Sequence, residues 1–165
     1  MTVPPSTAGV TVVESSRLGN TTVIPVSAES GETDLTVLLR SMKPELARGQ
    51  FVFVTVTDID SLPRLDPFAS VVEPEGLSLV LRKGQADQFF LAYDFVAAWI
   101  ILRVHYSLHA VGLTAAVSAV LARAGISCNV IAGFHHDHLL VPDDRADEAL
   151  DVLRTSTKTS GQQTT

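Results

Sequence analysis

The sequence predicts an α+β fold of two ferredoxin-like units in tandem, with antiparallel sheets that carry their helices on one face. The order of elements is the first reason, because a strand–helix–strand–strand–helix pattern can be followed twice along the chain. Composition is the second reason. Of the 165 residues, 46% are hydrophobic and only 18% are charged, which provides a buried core and excludes disorder for the body of the chain.

The first unit is predicted over residues 21–94. Its strands are expected at residues 22–26, 51–56 and 76–81, and its helices at residues 32–43 and 84–90. The longer helix has Thr33 or Asp34 as its N-cap, and Pro44 is expected to end it because proline cannot continue a helix.

The second unit is predicted over residues 95–154. Its strands are expected at residues 97–104, 127–133 and 138–141, and its helices at residues 111–124 and after the N-cap Asp143. Helix 111–124 is the best defined, because apolar residues recur at helical spacing and Gly125 stands where a helix commonly ends.

The strand count leaves one unit incomplete. A ferredoxin-like unit is βαββαβ, and strand 97–104 is not expected to serve both units. We therefore expect the N-terminal segment, residues 1–20, to supply a crossing strand at residues 10–13, or a second chain to pair with a sheet edge. Residues 155–165 are nearly all polar and are expected to form a flexible tail.

Charge and hydropathy exclude several classes of function. The 12 basic and 18 acidic residues give a net charge of −6, so nucleic-acid binding is not expected. The longest apolar stretch, residues 89–102, contains Asp94 and falls short of the roughly 20 residues that span a membrane. A single cysteine, Cys128, excludes an internal disulfide, and no signal peptide is recognised, so we expect a cytoplasmic protein.

Residues 107–142 carry a more specific pattern. They read SLHAVGLTAAVSAVLARAGISCNVIAGFHHDHLLVP, and residues 32–46 (ETDLTVLLRSMKPEL) and 73–81 (EPEGLSLVL) add to it. Together these segments resemble small bacterial proteins with two ACT domains, related in fold to the aspartate kinase regulatory region and to CASTOR-type arginine sensors. The resemblance implies ACT-type units in a non-catalytic regulatory or sensor protein. It also implies a small amino acid as ligand. We expect no cofactor. The high hydrophobic fraction and the incomplete strand count predict a homo-oligomer, with a dimer expected.

The loop before helix 111–124 is the first candidate ligand site. Helix amides at residues 111–114 lack intrahelical acceptors, and Gly112 lets a ligand approach the backbone, which suits a carboxylate. The ACT resemblance also places part of the ligand here. The candidate residues are Ser107, His109, Val111, Gly112 and Leu113. The alternative is that Gly112 only permits a tight turn and Ser107 caps the helix.

Further ligand candidates come from the strands. Asn129 and Gly133 are expected to face away from the helices, where a second domain packs, whereas Cys128 is expected to face them and to be buried. Three carboxylates, Asp137, Glu73 and Glu75, are candidates to receive an α-ammonium group. The alternative for the carboxylates is turn formation, and for Asn129 a place at a sheet edge or in water.

The five histidines favour a competing hypothesis. They are His105, His109, His135, His136 and His138. A metal site needs three or four converging ligands, but Asp137 is expected to point to the opposite face from His136 and His138. We therefore expect no metal and no catalytic residues, since no HExxH, GxSxG or P-loop is present. The alternatives left open are a partner-binding module with an empty pocket, and a histidine-site metal binder or small hydrolase.

Overall fold

The computed structural model describes residues 31–57, 65–104 and 109–159. The helices are α1 (Leu35–Ser41), α2 (Lys83–Gln88), α3 (Leu113–Arg123) and α4 (Ala146–Thr159), and a 3-10 turn (Asp143–Arg145) precedes α4. The strands are β1 (Lys43–Leu46), β2 (Phe51–Val56), β3 (Ala69–Glu73), β4 (Gly76–Arg82), β5 (Val96–Arg103), β6 (Asn129–Ala132) and β7 (Asp137–Pro142). The predicted strands at residues 10–13 and 22–26 lie outside the described residues.

The strands form one antiparallel sheet in the order β3-β4-β2-β5-β7-β6, with β1 also paired to β5. β5 pairs with β7 through Ala97–Leu102 on one side and with β1 and β2 on the other. The two units therefore share β5 and one sheet. The α+β fold is confirmed, but the assumption that strand 97–104 serves a single unit was wrong, because a strand has two edges that can be paired independently.

All four helices pack on one face of the sheet, as predicted. Alternate residues of each strand point to this face. α1, α3 and α4 cover a core that includes Ile100, Leu102 and Leu139, while α2 packs its Ala86 beside Val52. The opposite face has its own apolar cluster, which contains no residue of a described helix, and we call it the helix-free face. Its buried members are Phe51, Val80, Ala97, Trp99 and Leu140.

The first helix is shorter than predicted. Asp34 is its N-cap, and the carboxylate accepts hydrogen bonds from the amides of Thr36 and Val37 at 2.8 and 3.1 Å. The helix ends at Ser41, and Pro44 lies within β1 opposite Leu102. Proline forces the residue before it out of the helical region, so the chain continues as an extended segment. Among the described strands β1 pairs only with β5, and the missing N–H of Pro44 is therefore tolerated.

The helices of the second unit follow the predicted pattern with shifted ends. α3 ends in a Schellman motif: the amides of Gly125 and Ile126 donate to the carbonyls of Ala122 and Leu121. Asp143 does not cap α4 as predicted. It lies in the 3-10 turn, and its carboxylate accepts a hydrogen bond from the side-chain amide of Gln50. α4 continues to Thr159, past the predicted boundary at residue 154, because no glycine or proline interrupts it.

The sequence pattern predicts neither β1 nor β3, and β3 shows why. It forms a hairpin with β4 and lies at one end of the sheet order. Val71 and Val72 are exposed, so this strand carries no one-sided apolar alternation that could have revealed it. None of the described helices is long and apolar enough to cross a bilayer.

Candidate functional site

The loop that enters α3 has the backbone geometry of an uncapped helix start. Gly112 occupies the N-cap position with φ of +99°, and its carbonyl accepts the amide of Ala116 at 2.9 Å. None of the described side chains forms a hydrogen bond that caps this end of the helix. Leu113 is buried, Val111 is 82% exposed and His109 is exposed. Ser107 lies outside the described residues.

Among the described residues, no side chain caps the first amides of α3, and these amides can meet an anion. They have no intrahelical acceptors, and the helix dipole adds partial positive charge there. Gly112 is required for two reasons. Its φ is in the left-handed region, and a Cβ at this position would lie 3.2 Å from Cδ2 of Leu35 in α1. The loop can therefore hold a carboxylate against the backbone.

The candidates on β6 and β7 are divided between the two faces of the sheet. Asn129 is exposed on the helix-free face opposite Leu140, as predicted. Asp137 is 2% exposed and lies on the helix face, where its register partners are Leu102 and Ala132. The structure therefore does not bring Asn129 and Asp137 together.

Glu73 and Glu75 lie far from the α3 loop in the sheet. Both are exposed in the β3–β4 hairpin, where the hydroxyl of Ser78 donates to the carboxylate of Glu73. β4 and β2 separate β3 from β5, the strand that precedes the α3 loop. This placement corresponds to the turn-forming alternative and does not join these glutamates to the other candidates.

Cys128 packs against the core on the helix side predicted for it, but it is half-buried and not fully buried as expected. Burial raises the pKa of its thiol to about 11, from an ordinary value of 9.0. The reactive thiolate is therefore scarce at neutral pH, and Cys128 has the properties of a packing residue.

The predicted opposition of Asp137 and His138 across the strand is confirmed, whereas His136 precedes β7 and His105 lies outside the described residues. Asp137 is on the helix face and His138 is on the helix-free face. Nδ1 of His136 is buried and has no hydrogen-bond partner within the described part of the chain. Across residues 31–57, 65–104 and 109–159, no three His, Cys, Asp or Glu side chains are grouped to hold a metal ion.

His138 has a defined hydrogen-bond partner. The indole N–H of Trp99 donates to its Nδ1 at 3.1 Å, and the two rings lie edge to face with centroids 5.3 Å apart. An Nδ1 that accepts a hydrogen bond places the imidazole proton on Nε2. Burial lowers the pKa of His138, the charge of His136 lowers it further, and Asp137 opposes both effects. The neutral ring with an Nε2 proton is therefore favoured.

A cavity of about 360 Å³ lies on the helix-free face beside His138. It is lined by Ala47, Phe51, Phe68, Arg82, Trp99, Ile101, Ile131, Gly133 and His138. The Phe51 ring is 5.1 Å from both the Phe68 and the Trp99 rings, and Phe68 is 5.6 Å from Trp99. The guanidinium of Arg82 lies over Phe51 and Phe68 at 5.3 and 5.0 Å from their centroids. The cavity thus combines aromatic walls with one cation.

Of these lining residues, only Gly133 is a ligand candidate predicted from the sequence, and His138 belongs to the metal-binding alternative. The others come from separate segments and become neighbours through strand pairing: Phe51 is opposite both Ala97 and Arg82. One signal was available in the sequence. Phe51 and Phe53 alternate with Val52 and Val54, which predicts a strand with an aromatic face.

A second, larger depression of about 1080 Å³ runs along α3 and α4 on the opposite side of the molecule. Its floor is apolar, with Val117, Val120 and Val152. Arg123 lies along it together with the carboxylates of Glu148 and Asp151. We call this depression the α3–α4 groove.

Comparisons with known proteins agree with this architecture. Residues 30–98 match one ACT domain model and residues 95–155 match another. The two matches meet within β5, the strand shared by the two units. No curated protein matches the chain.

Several solved structures are similar to this chain. A Vibrio cholerae protein of unknown function, described as a possible transport protein, is 45% identical over 74% of this chain and 95% of its own length, with a TM-score of 0.68. An Agrobacterium tumefaciens protein is 20% identical over 70% of this chain and 89% of that one, with a TM-score of 0.57. A structure of aspartokinase alpha and beta subunits is 12% identical, covers 76% of this chain and 99% of that one, and has a TM-score of 0.57. The last two show the fold alone. The two successive ACT domain matches, which together span residues 30–155, show that the chain belongs to the ACT-domain family and carries two such domains in tandem.

Proposed function

We propose that this protein is a non-catalytic regulatory or sensor module that binds a small amino acid at the N-terminal turn of α3. The observation that carries the proposal is the uncapped start of α3 at the left-handed Gly112. Membership of the ACT-domain family supports it, because these domains are regulatory modules that typically bind amino acids.

In this proposal the ligand carboxylate accepts hydrogen bonds from the first amides of α3, with Ser107, His109, Val111, Gly112 and Leu113 as the contact set. The free amides and the helix dipole both favour a negative group there. Asp137 is not included because it is buried on the helix face, and Glu73 and Glu75 are not included because they lie in the β3–β4 hairpin. Asn129 lies in β6 and Gly133 follows this strand, so neither is part of the proposed contact set at α3.

Thermal-shift measurements with each of the twenty amino acids test the proposal. A ligand that binds the native state alone raises Tm in proportion to the logarithm of its concentration. We expect one amino acid, or a chemically related pair, to raise Tm at concentrations up to about 10 mM. If none does, the amino-acid proposal is wrong.

A matched pair of asparagine variants then locates the site. Gly112→Asn places a side chain beside the open amides, and asparagine tolerates left-handed backbone better than other non-glycine residues. Gly125→Asn is the control, since Gly125 ends the same helix with φ of +68° and has open space around it. We expect calorimetry to show weakened binding in Gly112→Asn only. Equal affinity in both variants would place the site elsewhere.

The α3–α4 groove favours a second candidate, a partner-binding module in which the partner is a second copy of the chain. Arg123 lies in the same groove as Glu148 and Asp151, so two grooves related by a twofold axis can present opposite charges to each other. In this candidate function the chain forms the predicted homodimer through the α3–α4 groove. We also propose that the protein is cytoplasmic.

Light scattering tests the dimer. We expect a mass twice that of the 17.6 kDa chain, and the chain mass for Val120→Glu, which places a charge on the groove floor. Ala122→Glu is the matched control, because Ala122 is exposed on the same helix outside the groove. A monomeric wild-type protein, or a dimeric Val120→Glu variant, contradicts this candidate.

A further inference from the structure

We infer that the cavity on the helix-free face is a second binding site, and that its ligand is a small aromatic monocarboxylate without an amino group. This site does not depend on the proposed amino-acid site. The α3 loop belongs to the helix face, whereas the cavity opens on the opposite face of the sheet. The two proposals therefore concern different residues and different ligands.

The size and walls of the cavity fit a planar apolar group. A volume of about 360 Å³ falls at the lower end of the range for small-molecule sites, roughly 300–1,000 Å³. Phe51, Phe68 and Trp99 present their rings at mutual distances of 5.1 to 5.6 Å, and Ile101 and Ile131 also line the cavity. Aromatic walls favour an aromatic ligand, because ring pairs contribute energy beyond the apolar area that they bury.

Arg82 provides the complement for a carboxylate. One of its guanidinium nitrogens donates to the carbonyl of Arg48 at 2.8 Å, and the group lies over the rings of Phe51 and Phe68. The guanidinium is therefore held in place, and no described acidic side chain forms an ion pair with it. Its remaining N–H groups can donate to the two oxygens of a carboxylate.

His138 adds a second donor. Trp99 occupies its Nδ1, which leaves Nε2–H without a hydrogen-bond partner in the described part of the chain. Gly133 lies against this nitrogen: a Cβ there would be 3.1 Å from Nε2 and 2.6 Å from the carbonyl of His136. Any other residue at position 133 would thus clash with the backbone beside this donor. The cavity presents one cation and one N–H donor.

The lining residues also exclude an amino group from the preferred ligand. None of the nine residues around the cavity is acidic. An ammonium group would lose its hydration without gaining a charged partner, and it would lie near the positive Arg82. A carboxylate with an uncharged hydrocarbon body satisfies the site better than the corresponding amino acid.

Trp99 makes the inference directly testable, because it is the single tryptophan of the sequence and lines the cavity. The probes are 3-phenylpropanoate, L-phenylalanine, which differs from it by the ammonium group, and 3-phenylpropan-1-ol, which lacks the carboxylate. We expect 3-phenylpropanoate to change Trp99 fluorescence in a saturable way. We expect the other two probes to bind at least about tenfold more weakly than 3-phenylpropanoate. Equal affinity for all three, or no response to 3-phenylpropanoate up to about 10 mM, would overturn the inference.

Variants of Arg82 separate the charge from the packing of this residue. Arg82→Met keeps an apolar stem over the rings and removes the cation, whereas Arg82→Lys keeps the cation. We expect Arg82→Met to lose about tenfold or more in affinity for 3-phenylpropanoate, and Arg82→Lys to lose less. Arg40→Gln, in helix α1 on the helix side of the molecule and outside the α3–α4 groove, is the control and should bind as the wild type does.

Circular dichroism establishes that each variant is folded. A folded Arg82→Met that binds 3-phenylpropanoate as tightly as the wild type would show that Arg82 is not the carboxylate partner and would overturn the inference. A loss of affinity in Arg40→Gln equal to that in Arg82→Met would show a general charge effect and would also overturn it. Neither result affects the amino-acid screen, which has Tm as its readout and Gly112 as its tested residue.

Discussion

At the scale of single residues, His138 is held in one tautomer because its Nδ1 accepts the indole N–H of Trp99. Its surroundings also favour the neutral ring. Burial lowers its pKa below the ordinary value of 6.5, the neighbouring His136 acts in the same direction, and Asp137 acts against it. A half-buried histidine with a lowered pKa couples folding to pH, since the unfolded chain binds the proton more readily.

This coupling predicts a loss of stability in mild acid. Well above pH 6.5, by about pH 7.5, His138 is almost entirely neutral in both states and contributes little pH dependence. As the pH falls from 6.5 towards the lower folded-state pKa, only the unfolded chain gains the proton, so the free energy of unfolding decreases. We expect urea midpoints to fall between pH 7.5 and 5.5, and to fall less in His138→Gln. The same pH dependence in both proteins would contradict this assignment.

At the scale of elements, the short helix α1 depends on its cap. α1 has only seven residues, and such a helix is marginal without tertiary packing and capping. Its Leu38 is buried in the main core together with residues of α3 and α4, so the position of α1 matters to the whole helix layer. Asp34 supplies two hydrogen bonds to the first turn.

Removing this cap gives an element-scale prediction. We expect Asp34→Ala to lower the free energy of unfolding by about 1 kcal/mol, because two helix amides lose their acceptor. Thr33→Ala is the control, since the described hydrogen bond of Thr33 uses its backbone amide and not its hydroxyl. Urea denaturation measures both. A loss of stability in Thr33→Ala as large as in Asp34→Ala would show that Thr33, the other predicted cap, is the important residue.

At the scale of the whole molecule, β5 connects the two ACT domains into one sheet. Its residues pair with β1 and β2 of the first domain and with β7 of the second. Unfolding either domain alone would therefore expose one edge and one face of a central apolar strand. This cost favours a single cooperative transition for the two domains.

Two core substitutions test that cooperativity. Leu81→Ala lies in the first domain and Leu153→Ala in the second, and both leucines are fully buried. Each substitution should cost about 2–5 kcal/mol. We expect the transitions followed by Trp99 fluorescence and by far-ultraviolet circular dichroism to coincide in each variant. Two separate transitions, each shifted by only one of the substitutions, would show that the domains unfold independently.

The sequence by itself determined the elements whose signals are local. Three elements were predicted because their signals lie within a few residues of each other. These signals are the apolar spacing of α3 with the glycine after it, the alternation of β2, and the capping carboxylate of Asp34. The resemblance to ACT domains was also visible in the sequence. The sequence did not predict two strands: β1, which contains a proline, and β3, which is largely exposed. Neither carries a periodic apolar pattern.

Only the tertiary structure decided how the units join and where the cavity lies. Phe51, Phe68, Arg82, Trp99 and His138 belong to five separate segments and become neighbours through the pairing of β2, β4, β5 and β7. The same strand order kept Glu73 and Glu75 away from the α3 loop. Strand order is set by contacts between residues distant in sequence, which local periodicity does not encode, so a site assembled across strands could not be predicted from the chain alone.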